Sequence, residues 1–148
     1  MFINQSLKSF HTMLNARLQR FRDEELWHHP VQQVLSNNEV GLRALFDMYS
    51  QRKEKYLTPD DVIKMVYEDA ELDLGIEKIR SAYALSKMTV MVEDDDKDGK
   101  RYKKMTFEEF CEFIARCVEM LFKESELEEL PLDEKLEYIL EDLLPLAG

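Results

Sequence analysis

Leu42-Arg-Ala-Leu-Phe-Asp-Met-Tyr49, Ser50-Gln-Arg-Lys-Glu-Lys-Tyr-Leu57 and Thr58-Pro-Asp-Asp-Val-Ile-Lys-Met-Val66 run on without a gap, and this is the stretch on which the fold turns. From Glu39 onward the apolar positions Val40, Leu42, Leu45, Phe46 and Tyr49 mark an amphipathic helix. A polar stretch follows, broken by apolar Leu57. Pro59 suits the first turn of a second helix, where its missing N–H costs nothing. Val62, Ile63, Met65 and Val66 continue that helix. The unit is therefore helix, twelve-residue loop from Ser50 to Asp61, helix.

Working outward, Leu7, Phe10, Leu14, Leu18 and Phe21 recur at helical spacing and predict a first helix over about Gln5 to Arg22. Asp23 to Pro30, with Trp27, His28 and His29, is expected to form a corner packed by Trp27, because proline disfavours helix at the residue before it. Val31, Val34 and Leu35 predict a short helix ending at Ser36-Asn37-Asn38, whose side-chain oxygens can cap the next one. Beyond Val66, a helix begins at Leu74 to Gly75 and carries Ile76, Ile79, Tyr83, Leu85 and Met88. The run from Glu93 to Arg101 has no apolar residue and reads as a solvated loop. Thr106 caps a long helix bearing Phe107, Phe110, Cys111, Ile114, Cys117, Val118, Leu121 and Phe122. After an acidic joint around Glu124 to Leu130, Pro131 opens a last helix through Leu132, Leu136, Ile139, Leu140, Leu143 and Leu144. No segment alternates as a strand does. The expected class is all-α, in three parts: a basic helical arm and corner over residues 1–30, a helix-loop-helix pair over 31–123, and an acidic joint with a C-terminal helix over 124–148.

Composition narrows the function. A chain of 148 residues with 45% hydrophobic and 34% charged residues, and only four Gly and four Pro, is helix-tolerant and globular. Its net charge of −11 disfavours nucleic acid as a partner. Residues 1–22 carry Lys8, Arg17, Arg20 and Arg22 with no acid, which leaves 16 basic against 31 acidic residues for the remainder. A basic arm thus joins an acidic body, and basic partner segments are favoured. Cys111 and Cys117 lie about 9 Å apart along one helix, too far for a disulfide, so a reducing compartment fits. No run approaches the length of a membrane span, and the first residues lack a secretory apolar core. The expected location is cytoplasmic.

Phe46 and Tyr49, four residues before the loop and directly before it, resemble the aromatic pair that closes the incoming helix of an EF-hand. Leu57 then falls at loop position eight, where EF-hand partners exchange a short backbone pairing, and Thr58 at nine. A second hand resembles the family at its exit: Met105-Thr-Phe-Glu-Glu-Phe corresponds to positions eight to twelve and the first core residue, with Glu109 at twelve. The likeness covers about Glu39 to Phe122. It implies an EF-hand-like pair, with a texture similar to such modules in cytoskeletal and ciliary assemblies.

The same register speaks against calcium. Ca²⁺ takes six to eight oxygens, from loop positions one, three, five, seven, nine and twelve, with Gly at six. In the first loop these positions hold Ser50, Arg52, Glu54, Tyr56, Thr58 and Asp61, and Lys55 stands in the glycine place. Two cations thus stand where a dication belongs. Counting back from Glu109 puts Asp98 at position one of the second loop, followed by Lys100, Tyr102 and Lys103 at three, five and six, and the loop is longer than twelve. Within it Asp94, Asp96, Asp98 and Gly99 form the first half of a calcium loop. Its own position twelve is Met105, so Asp94, Asp96, Asp98 and Glu109 are weak metal candidates and no cofactor is expected.

The remaining candidates concern partners. Leu7, Phe10, Leu14, Arg17, Leu18 and Phe21 form the basic amphipathic face of the arm. Folding back on the body or docking on a partner protein is its expected role, ahead of a membrane surface or a cleaved presequence. Met88 and Met91, with Met48, Met65, Met105 and Met120, either line an adaptable groove or fill the core. His28 and His29 diverge and lack a third ligand at suitable spacing. No nucleophile with its base and no phosphate loop is evident, so no enzyme is expected. The expected function is a protein-binding adaptor or structural subunit of a larger assembly. The alternative is a calcium sensor using Asp94 to Gly99 and a Met-rich groove.

Overall fold

The computed structural model describes residue 16 and residues 19–50, 54–87 and 102–148. Every regular element among the described residues is a helix. Residues 16 and 19–21 are helical and lead into a π-helical segment, Arg22–Leu26. Then come α1 (His29–Asn37), α2 (Glu39–Tyr49), α3 (Pro59–Ile63), α4 (Ile76–Ser86), α5 (Phe107–Phe122) and α6 (Leu132–Leu143). A second π-helical segment, Lys64–Asp69, prolongs α3, and a 3-10 turn, Leu144–Ala147, follows α6. No strand occurs among the described residues.

The expected corner is shorter and differently packed. The chain stays helical to Leu26, and only Trp27 and His28 turn it. Leu26 is buried, whereas Trp27 is 55% exposed, so Leu26 and not Trp27 anchors the corner. Pro30 lies inside the first turn of α1, where an N–H has no helical partner, and it starts the helix instead of prolonging the corner. Asn38 caps differently as well. Its Nδ2 donates 2.8 Å back to the Val34 carbonyl, so it closes α1 and offers no oxygen to α2. Val40 is 87% exposed and belongs to the outer face of α2, while Leu42, Leu45, Phe46 and Tyr49 turn inward.

The long helix α5 is the axis of the fold. Phe110, Phe113, Ile114, Cys117, Val118 and Phe122 are buried, the stripe that three-and-four spacing places on one face. α4 and α6 lie against it, α3 packs on α4, and α1 packs on α6. The apolar face of α6, formed by Leu132, Leu136, Ile139, Leu140 and Leu143, is therefore covered from within the chain. The 3-10 turn returns to α2, where Gly41 leaves room for Leu144: a Cβ there would stand 3.1 Å from Leu144 Cδ2. Phe46 meets Phe107 edge-on at 5.7 Å and Phe110 at 5.8 Å, joining α2 to α5. One hydrophobic cluster runs from Leu26 to Leu143. Each fully buried large side chain in it contributes about 1.5–3 kcal/mol.

Candidate functional site

Leu57 and Met105, both at position eight of their loops in the register read from sequence, form an isolated antiparallel bridge. Leu57 N donates to Met105 O at 3.0 Å and Met105 N donates to Leu57 O at 2.9 Å. The residues after the bridge repeat one another. Thr58 Oγ1 accepts from Asp61 N at 3.2 Å while Asp61 Oδ2 accepts from Thr58 N at 2.8 Å. Thr106 Oγ1 accepts from Glu109 N at 3.3 Å while Glu109 Oε1 accepts from Thr106 N at 2.9 Å. Two reciprocal caps thus start α3 and α5, each satisfying two donors. Tyr83 Oη, from α4, lies 2.6 Å from the Tyr102 carbonyl and 3.1 Å from the Leu57 carbonyl. Burial raises its phenol above the usual range, so the hydroxyl keeps its proton and serves as a donor at the bridge.

The oxygens that the first loop brings to its ends are already engaged. Ser50, fully buried, donates its hydroxyl 2.7 Å back to the Phe46 carbonyl. Asp61 is in the Thr58 cap. Glu54 accepts a 3.0 Å ion pair from Lys104 of the other loop, an exposed contact that solvent screens.

At the second loop the arrangement is more unusual. Lys87 follows α4, and its side chain is only 2% exposed. Its Nζ donates to Glu109 Oε1 at 2.7 Å and to the Lys104 carbonyl at 2.9 Å. Glu109, the metal candidate at position twelve, therefore accepts from an ammonium and from its own cap. An ammonium that far from water is tolerated only when paired and hydrogen-bonded, and this one is both.

A second charged cluster fastens the arm to the body. Arg22 grips Glu112 of α5 with two bonds, Nε to Oε1 at 3.0 Å and Nη2 to Oε2 at 3.1 Å. Arg116, one turn further on, gives Nε to Glu112 Oε2 at 3.0 Å and lays its guanidinium over the Phe21 ring at 4.4 Å. Phe21, read from sequence as a partner contact, packs in cis beneath Arg116. The Arg22–Glu112 pair makes the end of the basic arm fold back on the acidic body.

Beside this cluster a groove of about 770 Å³ opens between the arm, α1, α2 and the start of α5. Leu26, Leu35 and Phe107 supply apolar surface, Glu39 and Glu108 supply negative and Arg22 and Arg43 positive charge, with Arg43 paired to Glu39 at 3.4 Å, and Trp27 stands exposed at its edge. Cys111 also faces it, but burial pushes that thiol up to about 12, with the Glu108 carboxylate adding to the shift. Cys117 is driven up further by burial alone. Both thiols are packing groups at neutral pH.

Leu7, Phe10, Leu14, Arg17, Leu18, Met88, Met91, Asp94, Asp96 and Asp98 lie outside the described residues, so of the candidates named from sequence the structure places Phe21 and Glu109. It does not bring these two together. Met65 and Met105 are core residues, and Met48 and Met120 pack at its margin. Sequence reasoning missed Lys87, Glu112 and Arg116. One signal for Lys87 was present: Ile79, Tyr83 and Lys87 repeat at spacing four, which puts a lysine on the buried face of α4. Among the described residues no group of three His, Cys, Asp or Glu side chains is placed to hold a metal, and no helix is long and apolar enough to cross a membrane.

Comparison with protein-family models finds no match, and comparisons with curated proteins and with solved structures find no significant match.

Proposed function

We propose that this protein is a non-enzymatic protein-binding adaptor or structural module, built on an EF-hand-like pair that works without calcium. One observation carries the reading: the Leu57–Met105 bridge, followed in both loops by the same threonine-carboxylate cap. That arrangement supports two helix-loop-helix units joined back to back at loop position eight. The calcium-free part is supported by where the oxygens go, since Ser50, Asp61 and Glu109 are all held by groups of the protein.

The binding part draws on the groove beside Trp27. Apolar walls rimmed by charges of both signs suit the apolar face of an amphipathic partner helix. The half-buried Cys111 thiol in the groove wall, held in its protonated form, favours docking over nucleophilic chemistry at this site.

Calorimetric titration of Ca²⁺ into the chelator-stripped protein, with Asp96→Ala alongside, tests the reading. The expected result is no Asp96-dependent heat and no change of melting temperature up to millimolar calcium. Micromolar binding lost in Asp96→Ala makes the protein a calcium-regulated binder instead. Trp27 is the only tryptophan of the chain, so its emission reports the groove directly. A synthetic amphipathic Leu/Lys helix should shift that emission equally with chelator and with calcium, and Leu35→Asp should abolish the shift.

A further inference from the structure

Two oxygens converge on the Lys87 ammonium, and their kinds are informative. One is a backbone carbonyl, of Lys104, at 2.9 Å, and the other is a carboxylate, of Glu109, at 2.7 Å. A carbonyl and a carboxylate closing on one buried cation form part of the hard-oxygen shell that Ca²⁺ and Mg²⁺ prefer. In the loop register used above they occupy positions seven and twelve, the two from which a calcium loop sends its backbone carbonyl and its bidentate carboxylate. The positive charge that meets them comes from the neighbouring helix end instead of from solution.

We propose that the Lys87 ammonium is a built-in substitute for a divalent cation, and that removing it uncovers a Ca²⁺ or Mg²⁺ site on Glu109 and the Lys104 carbonyl. The inference deepens the calcium-independent reading and rests on its loop register. The ammonium neutralises Glu109 and ties the turn before α5 to the end of α4, which is the closure a bound metal would otherwise supply. Because the charge is covalently attached, the closure needs no ligand and is present at all times. A lysine stem delivers its charge to a depth at which the side chain is only 2% exposed. An ordinary ion pair would explain a loss of stability on mutation. It would not explain rescue by a free dication.

The test uses the full chain as wild type, Lys87→Ala, Glu109→Gln, Asp96→Ala, and Lys87→Ala combined with Glu109→Gln, each titrated with Ca²⁺ by calorimetry and by thermal melting. Lys87→Ala should melt below wild type and gain a calcium site with a Kd on the order of 10⁻⁴–10⁻³ M, the weak end of the range, because among the described residues two oxygens are preset. Its melting temperature should rise with calcium, and Glu109→Gln should remove that rise. Should Lys87→Ala fail to fold, Lys87→Gln keeps a donor for the Lys104 carbonyl without the charge and carries the same titration. The proposal is overturned by a Lys87 variant whose calcium response equals that of wild type. A response that survives Glu109→Gln overturns it too, as does a wild-type response that Glu109→Gln abolishes. Wild-type binding lost on Asp96→Ala but kept on Glu109→Gln sinks the calcium-independent reading instead, and the Lys87 comparison then still decides this one.

Discussion

Leu57 and Met105 donate to one another's carbonyls at 3.0 and 2.9 Å, and both side chains are completely buried. The bridge therefore joins the loop before α3 to the loop before α5 through backbone and side chains together. Met105→Ala leaves the backbone bonds in place and removes most of a fully packed side chain. It should cost about 2–5 kcal/mol, depending on how far α4 and α5 close over the cavity. Urea denaturation checks this, with the midpoint falling at unchanged slope. A shift under 1 kcal/mol would mean that the bridge lies outside the cooperative core.

Glu112 serves two guanidiniums, one on the arm and one on its own helix. Its side chain is 12% exposed and that of Arg116 is 7% exposed. Burial lowers the Arg116 pKa and the Glu112 carboxylate opposes that shift, so the carboxylate is what makes the buried charge tolerable. Glu112→Ala should cost about 3–5 kcal/mol, because it strips Arg116 of that carboxylate. Arg22→Ala leaves the Glu112–Arg116 pair intact and should cost less, about 1–2 kcal/mol. Chemical denaturation of both variants gives the order, and a larger loss for Arg22→Ala would refute it.

Alkaline pH should unfold this protein earlier than its acidic composition implies. Burial raises Cys111 from 9.0 to about 12 and raises Cys117, Tyr49 and Tyr83 above their ordinary ranges. For groups raised in the folded state, the contribution to stability is fully present below the unfolded pKa and is lost as pH climbs toward the folded one. Stability should thus be flat near pH 8 and fall between pH 9 and 12, as melting curves across that range would show. At pH 8 a thiol reagent should label the buried Cys117 slowly in the native protein and at once in urea. Immediate labelling of the native protein would contradict the burial.

Glu124 supplies an opposite case, a residue whose replacement should help. Its φ is +65°, it follows Lys123 at φ −62° and ψ 132°, and Ser125 N donates 3.0 Å to the Phe122 carbonyl. These values describe a type II turn ending α5, with a glutamate at the position that favours glycine. Glu124→Gly should stabilise the protein by about 0.5–1 kcal/mol, the relief of left-handed strain exceeding the entropy that glycine adds to the unfolded chain. A loss of stability in thermal melts would show that the exposed Glu124 side chain matters in some other way.

Much of the helical frame was legible in the residues because its causes are local. The stripe of Phe110, Ile114, Cys117 and Phe122 repeats with the helical period, Thr106 and Glu109 sit at cap spacing, and Pro59 opens α3 at the place where proline is harmless. The corner failed for the opposite reason. Leu26 and Trp27 are adjacent and both apolar, and one residue of further helix decides which of them faces inward. Asn38 likewise could bond forward to the amides of α2 or back to a carbonyl of α1, and it bonds back to Val34.

The candidate site divides in the same way. By itself the sequence determined the helical class, the twelve-residue spacing from Ser50 to Asp61, and the cations Arg52 and Lys55 within it, since each follows from neighbours within a few residues. Only the tertiary structure decided that Lys87 meets Glu109 and the Lys104 carbonyl, that Arg22 meets Glu112, and that α6 is covered by α1 and α5. Those contacts join residues far apart in the chain, and an ammonium or guanidinium reveals its partner only once the packing of helices has taken water away from both.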